Sequence, residues 1–180
     1  MGIPFSNSEE AAEMFIRKNR WNGIDIFPLM SSSAVIAALE EDTIDYGVVA
    51  TKNIVAGPVE ETTKSLEEKK NIDVYQTVDV PIHHCLFVKH EGCKIDSIAS
   101  HIQAILQCES NLERLVPSAK RIEVEDTAYA AEMLSEGSLP DNVGVICRKD
   151  AGENYDLFLI AENIEDDPQN TTTFSLLRLV

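Results

Sequence analysis

Apolar and polar positions along this chain switch between helical and strand spacing. Residues 9–18, EEAAEMFIRK, carry apolar side chains at helical intervals behind a serine-rich start, and Ser6 with Glu9 fits a capping box. IDIFPL, 24–29, predicts a short strand. SSSAVIAALEE, 31–41, predicts a serine-capped helix. DYGVVAT, 45–51, is too short and too β-branched for a helix and predicts a buried strand. A loop with Gly57 and Pro58 leads to a helix through Leu66. IDVYQTVDVPIHHCLFVKH, 72–90, predicts one or two long strands interrupted at Pro81. Ser100 to Leu115 predicts one helix, and AKRIEVE, 119–125, a strand. Asp126 caps the helix TAYAAEMLSEG, which ends at Gly137. NVGVICR, 142–148, is another buried strand, and 157–164 and 173–180 predict two more.

Alternating strands and helices imply an α/β fold with largely parallel sheets. The middle, 76–155, has its own strand–helix–strand–helix–strand order and reads as one lobe. Residues 1–75 plus 156–180 read as the other. Two lobes joined by crossing strands leave a cleft, a common place for ligands. The 180 residues suffice for such a pair, and 44% apolar content supplies a core.

Charge narrows the partners. Thirty-one acids against fifteen bases give a formal charge of −16. That argues against nucleic acid and anionic membranes, which need a positive surface. A small anion is still admissible, because helix N-termini and one or two bases hold it locally. The four cysteines, Cys85, Cys93, Cys108 and Cys147, show no CxxC pair, so a disulfide framework or zinc site is not expected. They read as reduced, mostly buried thiols of a cytoplasmic protein. No apolar run approaches a membrane span, and the N-terminus lacks the blocks of a secretory signal.

Four loops concentrate polar side chains: IPFSNSEE, ATKNIVAGPVEET, SHIQ and DPQNTTTF. All can sit at carboxyl ends of strands, where open α/β folds bind ligands. Ser100 and Gln103 of SHIQ satisfy the pattern of a capping box. Gln107 lies one turn beyond Gln103, so a pocket can use both. His101 is a candidate ligand contact or a packed side chain. Ser100 and His101 are adjacent and do not by themselves make a nucleophile–base pair. The three threonines of DPQNTTTF either satisfy backbone groups or aim a hydroxyl at a ligand.

The order and spacing of these segments resemble the catalytic domain of prephenate dehydratases. DYGVVATKNIVAGPVEETTKSL resembles the family pattern D-x-G-V-V-P-I-E-N-S-x-x-G-x-V-x-x-T. HHCLFVK resembles H-C-L-L, and SHIQAILQC is similar to S-H-P-Q-A-L-x-Q-C. EDTAYAAEML resembles S-T-A-x-A-A, and AENIEDDPQNTTTFSLL resembles N-I-Q-D-x-x-x-N-x-T-R-F. GIPFSNSEEAA is a weaker echo of G-P-x-G-T-F-S-x-x-A-A. The resemblance covers essentially the whole chain.

It implies two α/β lobes resembling type II periplasmic-binding-protein domains, with the cleft as active site. It implies a lyase of phenylalanine biosynthesis that converts prephenate to phenylpyruvate, losing water and carbon dioxide, with no metal and no organic cofactor. Homodimers or tetramers are implied as well. The family's polar residues carry over to Asn53, Ser100, Gln107 and Thr172 as catalytic candidates. Thr127 and Ser8 match further substrate-facing positions, and His101 joins them as a substrate-binding candidate. Such chemistry suits hydrogen-bond donors placed where charge changes, with a threonine hydroxyl helping the leaving oxygen.

The departures are specific. T-R-F reads Thr172-Thr173-Phe174, so the arginine is missing. P-I-E-N-S reads Ala50-Thr51-Lys52-Asn53-Ile54, replacing a carboxylate with an ammonium and removing a hydroxyl. Ile102 replaces a proline, Asp126 a serine, and G-T-F-S has become Phe5-Ser6-Asn7-Ser8. The family's first strand has no counterpart before Gly2, and the ACT regulatory domain has none after Val180, so an unregulated, monofunctional domain is expected. A lost bidentate anchor is hard to replace, and Lys52 is the substrate-binding candidate that compensates. Three readings stand: a prephenate dehydratase; a non-catalytic module binding a small carboxylate or amino acid; and a non-aromatising prephenate decarboxylase. Fold alone does not separate them.

Overall fold

The computed structural model describes residues 3–67 and 69–180. In chain order the elements are α1 (Asn7–Asn19), α2 (Ser32–Glu40), β1 (Gly47–Asn53), β2 (Gly57–Pro58), α3 (Glu60–Glu67), β3 (Ile72–Pro81), β4 (Cys85–Val88) and β5 (Ser97–Ser100). They continue with α4 (Ile102–Gln107), α5 (Glu109–Leu115), β6 (Lys120–Glu123), α6 (Thr127–Glu136), β7 (Val143–Cys147), α7 (Lys149–Asn154), β8 (Phe158–Ala161) and β9 (Thr171–Leu179). The chain divides into two compact units, Met1–Ile82 with Thr171–Val180, and His83–Asn170. The expected lobe bounds, 1–75 plus 156–180 and 76–155, differ for a topological reason. β3 stays paired with β9 through Pro81, and β8 pairs with β4 in the second unit.

The first unit holds a sheet of order β2-β1-β9-β3, antiparallel throughout. The expected parallel sheet fails here because the C-terminal strand runs back between β1 and β3. Helix α1 is set by Ser6, whose Oγ accepts from Glu9 N at 3.3 Å. The Glu9 carboxylate reaches Phe5 N at 2.6 Å instead of the cap's own N–H, so the capping box is offset by one residue. Ala11 and Phe15 of α1 pack with Val80, Phe174 and Leu176 on one face of the sheet. Val35, Ile36 and Leu39 of α2 pack with Val49 and Leu177 on the other. IDIFPL forms no strand. Pro28 removes one donor, and Ile24, Ile26 and Phe27 are exposed, so its apolar residues have no buried face that would fix a register.

The second unit holds a mixed sheet of order β6-β5-β7-β4-β8. β5 runs parallel to β6 and β7, while β4 is antiparallel to β7 and β8. Every residue of β4 and β7 is buried, as their unbroken apolar runs require. Leu86, Ile98, Ile105, Leu112 and Ile146 form its core. The helix expected over 100–115 is two, because Cys108 leaves helical geometry at φ −118° and ψ 6°. Helix α6 follows its sequence pattern: Asp126 caps its start, and Gly137 ends it at φ 82°. All four cysteines are free thiols, and burial pushes Cys85, Cys108 and Cys147 upward so that they stay protonated. Among the described residues no helix is long and apolar enough to cross a membrane.

Candidate functional site

In the first unit, cross-strand register decides which motif residues share a face. Asn53 of β1 lies opposite Thr172 of β9, which lies opposite Val80 of β3. Lys52, Thr173 and Asp79 form the neighbouring row. Side chains alternate between faces along a strand, so the two rows point to opposite sides of the sheet. Asn53, Thr172 and Val80 are buried; Lys52 and Asp79 are exposed. A bulge at Thr51, between the pairs at Ala50 and Lys52, sets this alternation just before Asn53.

Asn53 is held as an oriented donor. Its Oδ1 accepts from Val55 N at 2.9 Å and Ala56 N at 2.8 Å. Its Nδ2 therefore faces β9, donating to Thr172 Oγ1 at 3.0 Å and to Thr171 O at 3.2 Å. Thr172, 8% exposed, thus receives a hydrogen bond at its oxygen, and its own proton remains available to an acceptor outside that pair. The adjacent Thr173 Oγ1 donates to Asp79 Oδ1 at 2.7 Å on the other face. The charge changes at Lys52 and Thr173 are thus direct cross-strand neighbours on the face away from Thr172. Lys52→Met is expected to leave binding of an anionic ligand unchanged; a titration by calorimetry checks it, and lost affinity would place the ammonium on the ligand after all.

Ser8 stands apart from this pair. It borders a cavity of about 570 Å³ in the first unit, lined mainly by apolar side chains such as Phe15, Trp21, Ile26 and Tyr46. Neither Asn53 nor Thr172 lines that cavity.

In the second unit, the parallel strands β5, β6 and β7 run on toward helices that begin at Ile102, Thr127 and Lys149. The expected capping box at SHIQ is not formed. Ser100 is the last residue of β5, fully buried, and its Oγ donates to Ile146 O at 2.7 Å across the sheet. The cap of α4 is His101, whose Nδ1 accepts from Gln103 N at 3.2 Å. Burial displaces Ser100 from the capping role, since a hydroxyl at the sheet centre must satisfy the nearest backbone oxygen. Thr127 is the first residue of α6 and half-buried.

Gln103 and Gln107 do not act together: Gln103 is exposed and Gln107 is 7% exposed. Gln107 enters a network that the sequence pattern does not reveal. Its Oε1 lies 2.8 Å from His84 Nε2 and receives Asn170 Nδ2 at 2.8 Å. Glu165, also buried, lies 2.8 Å from His83 Nδ1 and accepts His84 N at 2.9 Å. Burial holds His84 below the usual imidazole range, outweighing its bond to Gln107, so the ring is neutral near pH 7. His84, Glu165 and Asn170 are separated from their partners by 23 to 82 positions, and only tertiary contact joins them. Among the described residues no three His, Cys, Asp or Glu side chains group as a metal ion would require.

Asp126 shows what the change from serine costs. Its Oδ1 accepts from Ala128 N at 2.7 Å and Tyr129 N at 3.3 Å. Burial nonetheless raises its pKa, with those two bonds only partly opposing. The folded carboxyl holds its proton to higher pH than the unfolded one, so stability declines as pH rises through the carboxylate range. Asp126→Ser keeps a cap without the charge. It is expected to raise the unfolding midpoint at pH 7 and leave it unchanged where Asp126 is protonated; midpoints measured across that range check it.

Comparison with known proteins places these observations. The family described as prephenate dehydratase matches residues 1–179. The chain is 33% identical over 180 residues to arogenate dehydratase/prephenate dehydratase 1 of Arabidopsis thaliana, covering 98% of this chain and 43% of that protein. It is 36% identical over 141 residues to a bifunctional chorismate mutase/prephenate dehydratase of Neisseria gonorrhoeae, covering 77% of this chain and 38% of that one. The chain thus spans less than half the length of these curated relatives. The fold matches the crystal structure of prephenate dehydratase from Arthrobacter aurescens with TM-score 0.82 and 24% identity, covering 100% of this chain and 58% of that one.

Proposed function

This chain belongs to the prephenate dehydratase family, and we propose that it performs the family's named reaction, the decarboxylative dehydration of prephenate to phenylpyruvate. One observation carries the reading: Asn53 Nδ2 donates to Thr172 Oγ1 at 3.0 Å within a buried pair. The bond leaves the Thr172 proton directed away from Asn53 and draws electron density from the hydroxyl oxygen, which strengthens it as a donor.

The reaction needs that donor. As the ring carboxylate departs as carbon dioxide, the electron pair of the broken C–C bond enters the ring. The ring C–O bond breaks, and the oxygen leaves as water after taking one proton. Thr172 passes or shares that proton, and solvent restores it. Aromatisation supplies the driving force, so a weak acid held in place suffices where free threonine would not. Gln107 is a further candidate ligand contact, and Ser100 fixes the end of β5 through Ile146. The arginine of the family's T-R-F motif is replaced here by Thr173, on the face away from Thr172, so the missing guanidinium does not remove a partner of the Thr172 hydroxyl.

The test is turnover of prephenate by purified protein at neutral pH, followed as phenylpyruvate above the spontaneous background. The same assay with arogenate, named for the plant relative, decides between a keto and an amino side chain. Prephenate consumed without phenylpyruvate would replace this reading with a non-aromatising decarboxylase. Binding without consumption would replace it with a carboxylate-binding module.

A further inference from the structure

A glutamine carries both an acceptor oxygen and a donor nitrogen, and the second unit fixes which one Gln107 turns inward. Two proton arrangements fit the distances among Gln107, His84 and Asn170. In the first, Gln107 Oε1 accepts from both neighbours, and His84 is the Nε2–H tautomer with a bare lone pair on Nδ1. In the second, both amides are turned over, Gln107 Nε2 donates to both, and His84 carries its proton on Nδ1.

His84 Nδ1 has no hydrogen-bond partner, and the residue is 2% exposed. The second arrangement would therefore bury an N–H with nothing to receive it. Orphaned buried N–H groups are rarer than under-used acceptors, because a directed proton without a partner loses more than one lone pair does. The His84 backbone is fixed by Glu165 Oε2 on its N–H and by Ile164 N on its carbonyl, both at 2.9 Å. The backbone that carries the imidazole is thus fixed, and the first arrangement is the one that leaves no buried N–H without an acceptor. Gln107 Nε2 then has no hydrogen bond to any described residue, while both inward bonds of the side chain end on its oxygen.

We infer that His84 and Asn170 are positioning residues that make Gln107 a fixed hydrogen-bond donor, and that the ligand atom it meets is an oxygen acceptor such as a carboxylate of the substrate. The ligand half rests on the reading of Gln107 as a substrate contact. Neither His84 nor Asn170 touches that ligand in this scheme; both act through the orientation of one amide.

Two measurements test it. In ¹⁵N-labelled protein without ligand, long-range ¹H–¹⁵N correlations of the His84 ring, assigned with a His84→Asn variant, are expected to show Nε2 protonated and Nδ1 not. A Nδ1–H tautomer overturns the inference. The second measurement uses Asn170→Asp, whose carboxylate only accepts. It draws Gln107 Nε2 inward, presents Oε1 to the ligand and shifts the His84 proton to Nδ1. Phenylpyruvate affinity is expected to fall about tenfold or more, in protein whose backbone amide spectrum remains that of the folded chain. Unchanged affinity and an unchanged tautomer overturn the inference, since a glutamine already donating inward would accept aspartate in place of asparagine. If the parent protein binds neither phenylpyruvate nor prephenate, the ligand half falls with the functional reading; the spectrum still decides the donor orientation by itself.

Discussion

Thr172→Ala is expected to lower kcat for prephenate roughly a thousandfold, the span of a positioned general acid, with little change in KM. The hydroxyl accepts from Asn53 Nδ2 in the resting protein, so under the proposed reaction alanine removes a proton donor to the departing oxygen and little ground-state binding. Thr172→Ser keeps the hydroxyl and is expected to retain most of the activity. Asn53→Asp separates the two residues' parts. Its carboxylate still accepts from Val55 N and Ala56 N, so the turn after β1 persists. Yet it would take the Thr172 proton instead of donating to its oxygen, and the loss should approach that of alanine at position 172. Steady-state kinetics on the three variants check the scheme. A raised KM with unchanged kcat in Thr172→Ala would make Thr172 a binding group and end its role as proton donor.

How far the sequence carries is visible at these same positions. Asn53 and Thr172 are legible because residue type and motif order mark them, and the structure puts them opposite each other on β1 and β9. Lys52 reads as a replacement for the missing arginine because it lies in a matching motif. One residue of register turns it to the other face, and register is set by the bulge at Thr51, which no local pattern announces. Ser100 reads as a helix cap because S-x-x-Q is a capping signature. Burial at the end of β5 gives its hydroxyl to Ile146 instead, and His101 takes the cap. The strands β1 and β7 and helix α6 are readable because their signals are local: β-branched runs, an aspartate cap and a terminal glycine, though only β7 is buried throughout. IDIFPL shows the limit of such signals, since a strand needs a partner as well as a propensity. The network around Gln107 is not readable, although HHCL and the Asn170 loop both stand out as motif pieces. Motif residues mark candidates; the distances among them arise only when β4, α4 and the segment before β9 pack together.

A large expected effect on stability lies where α7 packs against β4. Gly152→Ala is expected to destabilise the protein by about 2–3 kcal/mol, the upper part of the range for overpacking a core. A Cβ on Gly152 would lie 2.4 Å from Phe87 Cε2 and Cζ and 2.6 Å from Cδ2. Phe87 is fully buried in β4, so its ring has no solvent to move into, and either α7 or β4 must shift. Phe87→Leu alone leaves a void and is also destabilising. Together the two changes should cost less than their sum by about 1 kcal/mol or more, because the smaller side chain vacates the space the new methyl needs. Denaturant unfolding of the parent, both single variants and the double variant gives the coupling; additive costs would mean that the backbone relaxes around Gly152 and the ring does not set the limit. The consequence reaches the candidate site, because Phe87 lies three residues beyond His84 on the segment that places the imidazole against Gln107. A displaced β4 should therefore disturb the His84 ring resonances in Gly152→Ala, and Phe87→Leu in the same chain should restore them.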